Sequence, residues 1–173
     1  MERFRNPETR SYAFNLIVRK YQERLYWHIR KIVISHDDSD DVIQNTFLKV
    51  WTGLESFRED SQLFTWLYRI ATNEALTFRK KKRRKFALPL VEVEQQLART
   101  FEASPHVDGD EIQIKLQKAI LTLPEKQRLV FNMKYFEELK YEEISEILGT
   151  SVGALKASFH HAVKKIEKYM DLD

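Results

Sequence analysis

The chain has 173 residues, 43% of them hydrophobic, with 29 Lys and Arg against 26 Asp and Glu and a formal net charge of +3. That is material for one mid-sized or two small domains, and too little charge for its total alone to argue for a nucleic-acid partner. There is no cysteine and there are only four glycines and four prolines, which excludes a disulfide framework, a thiolate nucleophile and Cys-ligated zinc, and disfavours collagen-like or many-turned β folds.

Residues 11–33 place Phe14, Ile17, Val18, Tyr21, Leu25, Ile29 and Ile32 at helical spacing, which reads as one long helix or two in line. His36-Asp37-Asp38-Ser39 reads as a polar break, with Ser39 or an Asp beside it capping a helix over 40–54. In that helix Ile43, Phe47, Val50 and Leu54 form a core stripe with Trp51 at its edge, while Asp41, Gln44, Asn45, Leu48 and Thr52 lie away from it. A polar face with one leucine is either solvated surface or a partner surface anchored by Leu48. After a short segment over 55–60, Ser61 can cap the next helix, which carries Phe64, Leu67, Ile70, Ala71, Ala75 and Phe78 and enters seven consecutive basic residues, 79–85.

Aromatic and basic residues interleave here, with Phe57, Phe64, Trp66, Tyr68 and Phe78 ahead of the basic run. Unpaired bases stack on rings while Lys and Arg hold phosphates, although most of these rings are also expected in the core. A solvated helix end complementing the dipole is the plainer account of the run. Seven like charges in a row disfavour a helix without an anion, so phosphate binding explains it better.

Composition changes over 86–110, which holds Pro89, Pro105, Gly109, five acidic residues and one Arg. It reads as a flexible acidic linker with room for one short helix around 92–101. Four helices follow: about 111–121, one with Pro124 in its first turn reaching about 136, a short one over 141–148, and 152–169. The whole is expected to be all-α, two small helical domains at 10–85 and 111–170 joined by the linker. No signal peptide is expected at the start, and no run of about 18 apolar residues offers a membrane span.

The last two helices, separated by Gly149-Thr150-Ser151, have the pattern of a DNA-binding helix-turn-helix. Gly149 suits the left-handed turn and Ser151 the cap of the second helix. In that helix Leu155, Phe159, Ala162 and Ile166 share one face, with Val152 and Val163 at its edge. The opposite face carries Gly153, Ala157, His161, Lys164 and Lys168, flanked by Lys156 and His160 on one side and Ala154 and Lys165 on the other. Small residues near the start allow deep entry into a major groove, where Lys and His reach phosphates or base edges. The bland alternative is an ordinary helix pair with a solvated basic face. His160 and His161 diverge by about 100° on a helix and do not share a metal ion easily.

In order, these parts resemble a known family. Residues 40–51 resemble the signature helix of the second domain of small bacterial sigma factors, 64–73 that domain's following aromatic segment, and 123–128, 141–148 and 151–166 the fourth sigma domain. Three motifs in family order, over nearly the whole chain, identify it as similar to the extracytoplasmic-function group of sigma-70 factors.

The resemblance implies a non-enzymatic, cytoplasmic initiation factor without cofactor, metal or small-molecule substrate. Its partners are core RNA polymerase, through the β′ and β subunits, promoter DNA, and in some members a cognate anti-sigma protein. Asp41, Gln44, Asn45 and Leu48 become a polymerase interface against a β′ coiled coil. Phe57, Ser61, Trp66, Arg69, Asn73, Lys80, Lys81, Arg83 and Arg84 become contacts to the minus-ten element, with segment 52–61 capturing a flipped base. Ser151, Gly153, Lys156, Ala157, Ser158, His160, His161, Lys164 and Lys165 become contacts to the minus-thirty-five element. The linker acids Glu92, Glu94, Glu102, Asp108 and Asp110 would mimic nucleic acid along the polymerase path. Two departures stand out. Gln44-Asn45 replaces the Gln-Glu of many members, and Ser158 and His161 stand where the recognition helix commonly has Arg.

Two other readings use the same residues. A stand-alone helix-turn-helix regulator would usually be a dimer, yet no dimer helix is evident. A nucleic-acid enzyme needs a carboxylate cluster, and Glu74 is the only acid in the latter half of its helix.

Overall fold

The structure is a computed structural model that describes residue 6 and residues 8–57, 60–86 and 111–171. The linker acids and the short helix expected around 92–101 lie outside the described residues. The described residues form seven α-helices and one 3-10 turn: α1 (Arg10–Val33), α2 (His36–Gly53), the turn Leu54–Ser56, α3 (Leu63–Phe86), α4 (Glu111–Leu121), α5 (Glu125–Tyr135), α6 (Tyr141–Leu148) and α7 (Val152–Met170). The fold is all-α, as the sequence leads one to expect. The chain divides into two compact units, Met1–Lys82 and Arg83–Asp173.

In the first unit α1 is one unbroken helix. Its C-terminal half is buried through Leu25, His28, Ile29, Ile32 and Val33, whereas Phe14, Ile17, Val18 and Tyr21 are less enclosed, Ile17 and Val18 among the half-buried. The chain then reverses at Ile34, whose φ of 74° is rare for a β-branched residue. The buried Ile34 side chain holds this corner, and its N–H closes α1 on the Arg30 carbonyl at 2.9 Å.

Ser35, not Ser39, caps α2, accepting from the Asp38 N–H at 3.4 Å. The acids read as a break form the first turn of the helix, where carboxylates complement the positive end of the dipole. The buried stripe of α2 is also turned from the expected one: Ser39, Val42, Thr46 and Val50 are buried, while Ile43 and Phe47 are half-buried. Two hydroxyls enter the core because each donates to the carbonyl four residues back, Ser39 to Ser35 at 2.6 Å and Thr46 to Val42 at 2.7 Å.

α3 starts at Leu63, and the Trp66 N–H donates to the Gln62 carbonyl at 3.1 Å, so Gln62 occupies the cap position expected of Ser61. Leu67, Tyr68, Ala71, Thr72 and Ala75 are buried. His28 is buried against Tyr68, its ring centroid 4.8 Å away, and its Nε2 lies 2.8 Å from the Thr72 hydroxyl. That hydroxyl donates to the Tyr68 carbonyl at 2.7 Å, so the imidazole nitrogen is the donor in the His28–Thr72 bond.

The core of the second unit is built from Ala119, Ile120, Leu123, Phe131, Ala162 and Ile166, with Leu116, Phe159, Val163, Tyr169 and Met170 packed against it. Arg128 is buried, and its Nη1 donates to the Leu121 carbonyl at 3.2 Å, satisfying an acceptor that the end of α4 leaves open. Gly149 closes α6 at φ 62°, the left-handed conformation that a side chain disfavours, with its N–H on the Ser145 carbonyl at 2.8 Å.

Candidate polymerase and nucleic-acid interfaces

Three surfaces emerge from these elements. The first is on α2, where Asp41, Gln44, Asn45 and Leu48 lie off the buried stripe and Leu48 is 65% exposed. Sequence reasoning misses what lies beside them. α1 and α2 leave a groove of about 700 Å³ between them, lined by Ser11, Phe14, Asn15 and Val18 of α1 and by Gln44, Phe47, Leu48 and Trp51 of α2. Phe14 lines it from α1, edge-on to Trp51 at 5.0 Å and to Phe47 at 6.2 Å. The Arg10 guanidinium lies over the Trp51 ring at 4.4 Å and pairs with Glu55. The same two helices meet again where the Tyr26 hydroxyl lies 2.5 Å from His36 Nδ1. Burial first, and then the nearby Asp40, push the Tyr26 phenol above its ordinary value.

The second surface follows α3. At about 100° per residue, Trp66, Arg69, Asn73, Lys80 and Arg84 fall on one face, opposite the buried stripe. Arg69, Asn73, Lys81, Arg83 and Arg84 are exposed, and Trp66 and Ser61 are half-buried. Thr77 is exposed on the same face, although nothing in the sequence singles it out. Phe57 departs from the expectation of a DNA contact. It is buried against Trp66, ring centroids 5.0 Å apart, and serves as packing. Gly53 also belongs to this corner, since a Cβ there would meet the Trp66 ring at 3.0 Å. The indole is therefore wedged between the end of α2 and Phe57, and only part of it faces outward. Residues 58 and 59 of the expected base-capturing segment lie outside the described residues. The division between the two units falls inside the basic run, after Lys82.

The third surface is on α7. Ser151 caps it, accepting from the Ala154 N–H at 3.4 Å. Leu155, Ala162 and Ile166 are buried, and Phe159 stacks on Phe131 at 5.7 Å and meets Tyr141 edge-on at 6.5 Å. These contacts fix which side of α7 looks outward. On that side Ser151, Gly153, Lys156, Ala157, His160, His161, Lys164 and Lys165 lie off the buried stripe, and Ser158 is half-buried. A Cβ on Gly153 would meet nothing within 4 Å, so the start of the outer face is open. The Lys156 ammonium sits 5.8 Å from the Tyr141 ring centroid, which ties this cation to α6.

Among the described residues no cluster of three His, Cys, Asp or Glu suits a metal, and no helix is long and apolar enough to cross a membrane.

Comparison with known proteins finds the family described as Sigma-70 region 2 over residues 17–85 and that described as Sigma-70, region 4 over residues 113–166. The chain is 30% identical over 165 residues to the ECF RNA polymerase sigma-E factor of Haemophilus influenzae, covering 90% of this chain and 86% of that protein. It is 32% identical over 166 residues to the RNA polymerase sigma-H factor of Pseudomonas aeruginosa, covering 90% and 85%. Among solved structures, the sigma factor RpoE of Bartonella quintana, crystallised with the anti-sigma factor NepR, superposes with a TM-score of 0.72 at 21% identity, covering 93% of this chain and 98% of that one. CnrH, solved with the cytosolic domain of CnrY, gives 0.69 at 24% identity, covering 94% and 90%.

Proposed function

The chain belongs to the extracytoplasmic-function group of the sigma-70 family, and from that premise we infer how its surfaces divide the work of starting transcription. It is a sigma factor that binds core RNA polymerase and directs promoter recognition and initiation. The observation that carries this is regions 2 and 4 following one another in a chain that aligns with sigma-E over 90% of its length.

The exposed face of α2, with Leu48 at the rim of an apolar groove, is proposed as the polymerase interface. The outer face of α3 is proposed to take the minus-ten element, its half-buried indole offering a ring edge and its basic end holding phosphates. The outer face of α7 is proposed to read the minus-thirty-five element in the major groove. The polymerase supplies the chemistry, and no catalytic role is assigned to this chain. Because it works beside core polymerase, a cytoplasmic location is proposed. An anti-sigma partner is proposed on family grounds.

Run-off transcription with purified core polymerase tests the function. A promoter-specific transcript that requires this chain is expected. Tight duplex binding by the chain alone, with no transcript in the presence of core, would favour a stand-alone regulator instead.

A narrower test concerns α7. His161 is exposed where the family often has Arg, and imidazole donates one hydrogen bond to a base edge but cannot form the bidentate fork. His161→Ala is expected to relax the minus-thirty-five preference at one position by about 1–3 kcal/mol. Lys164→Ala should weaken all duplexes about equally, because it lies a turn further along. Affinities over a panel of single-base promoter variants separate the two. A uniform loss from His161→Ala would make that residue a phosphate contact.

A further inference from the structure

The inference rests on the phosphate-binding reading of the seven basic residues 79–85, and the structure divides that run. At about 100° per residue, Lys82 falls in line with Phe64, Tyr68, Ala71, Ala75 and Phe78. Tyr68, Ala71 and Ala75 are buried, so this is the stripe that α3 turns toward its own unit. Lys82 continues that stripe past the end of the apolar residues. There its ammonium meets Oδ2 of Asp38.

Asp38 is well placed to hold it. It sits in the first turn of α2, its N–H bound to the Ser35 cap, and its side chain is only 19% exposed. The positive end of α2 favours the carboxylate at that point, so the acid is fixed before any cation arrives. A second pair, Lys49 with Glu74, joins the same two helices further along. Lys80 and Lys81 lie roughly 160° and 100° around α3 from Lys82. Lys81 is exposed, and no described residue pairs with either Lys80 or Lys81.

We propose that Lys82 is held by Asp38 of its own domain and is not a phosphate contact. Its pair with Asp38 joins the basic end of α3 to α2, while Lys80 lies along the same face as Arg69 and Asn73. Lys82 is itself exposed, but its charge is met by Asp38 of the same domain, so it displaces no counterion from DNA.

The salt dependence of promoter binding, measured on holoenzyme reconstituted with the full chain, reads this directly. Lys80→Gln and Lys81→Gln should each lower the slope of log affinity against log salt by about 0.7 to 0.9, the value for one phosphate contact on single or double strands. Lys82→Gln should leave the slope unchanged. Asp38→Asn should steepen it, because the released lysine becomes available to phosphate, a change that a merely structural role for Asp38 would not produce. The exchanged pair, Asp38→Lys with Lys82→Asp, should restore the original slope. If Lys82→Gln flattens the slope as much as Lys81→Gln does, the inference is wrong while the DNA reading of the run stands. If none of the three lysine variants changes the slope, the DNA reading fails and this inference fails with it.

Discussion

Replacing Lys80, Lys81, Arg83 and Arg84 together by Gln is expected to lower promoter affinity by about two to three orders of magnitude at about 0.15 M salt, against roughly 0.7 to 0.9 of slope lost per contact. None of the four side chains is buried, so the substitutions remove charge without opening the core. Surface changes of this kind usually alter stability by about 0.5 kcal/mol or less. Removing repulsion between neighbouring cations should make the end of α3 slightly more helical. Loss of affinity would therefore come from lost counterion release and not from unfolding. The loss should shrink toward nothing as salt approaches about 1 M, because the effect is electrostatic. Titration of labelled promoter DNA at several salt concentrations, with circular dichroism on the same samples, makes the check. Parallel salt plots for wild type and variant would mean that the run is solvated surface.

Legibility in the sequence varies by element, and the reasons are physical. α7 is readable because its cap, its turn glycine and its apolar period are all local. Ser151 and Gly149 do what their chemistry allows, and Leu155, Ala162 and Ile166 are buried as the period requires. α2 misleads in two places. Its first turn, 36–39, is polar and so resembles a break, yet acids in a first turn are favourable. The reversal before it is made by Ile34 at positive φ, and isoleucine is not a residue that signals a turn. A hydrophobic pattern draws its stripe through Ile43 and Phe47 because Ser39 and Thr46 count as polar. Both hydroxyls are satisfied by their own helix, so both residues pack as small apolar ones. The sequence neighbourhood of Phe57 points to DNA, and only the three-dimensional approach of Trp66 and Gly53 reveals it as packing. The groove is invisible for the same reason, since its walls come from residues about thirty positions apart along the chain.

That groove sharpens the expected behaviour of the α2 face. Asp41→Ala with Leu48→Ala should weaken binding to core polymerase by about 2–4 kcal/mol, or roughly thirty- to a thousandfold, the range of a small number of central interface contacts. Leu48 is the larger part. An exposed leucine that becomes buried against a partner contributes about 1.5–3 kcal/mol through apolar area alone, and its 65% exposure leaves most of that area available. Asp41 adds a charge contact whose share should fall with salt. The two residues lie seven positions apart, about 10 Å along the helix, so their effects should add. Neither belongs to the buried stripe of Ser39, Val42, Thr46 and Val50, and the melting temperature should hardly move. Val42→Ala gives the opposite pattern: a buried methyl pair lost from the core lowers stability while leaving the outward face chemically intact. Phe14→Ala discriminates further, because Phe14 lines the groove from α1 without belonging to the α2 face. If Phe14→Ala weakens core binding as Leu48→Ala does, the partner inserts a side chain between α1 and α2. If only the α2 substitutions matter, the partner lies across the rim. A double variant of Asp41 and Leu48 that folds and binds core with unchanged affinity removes α2 from the interface altogether.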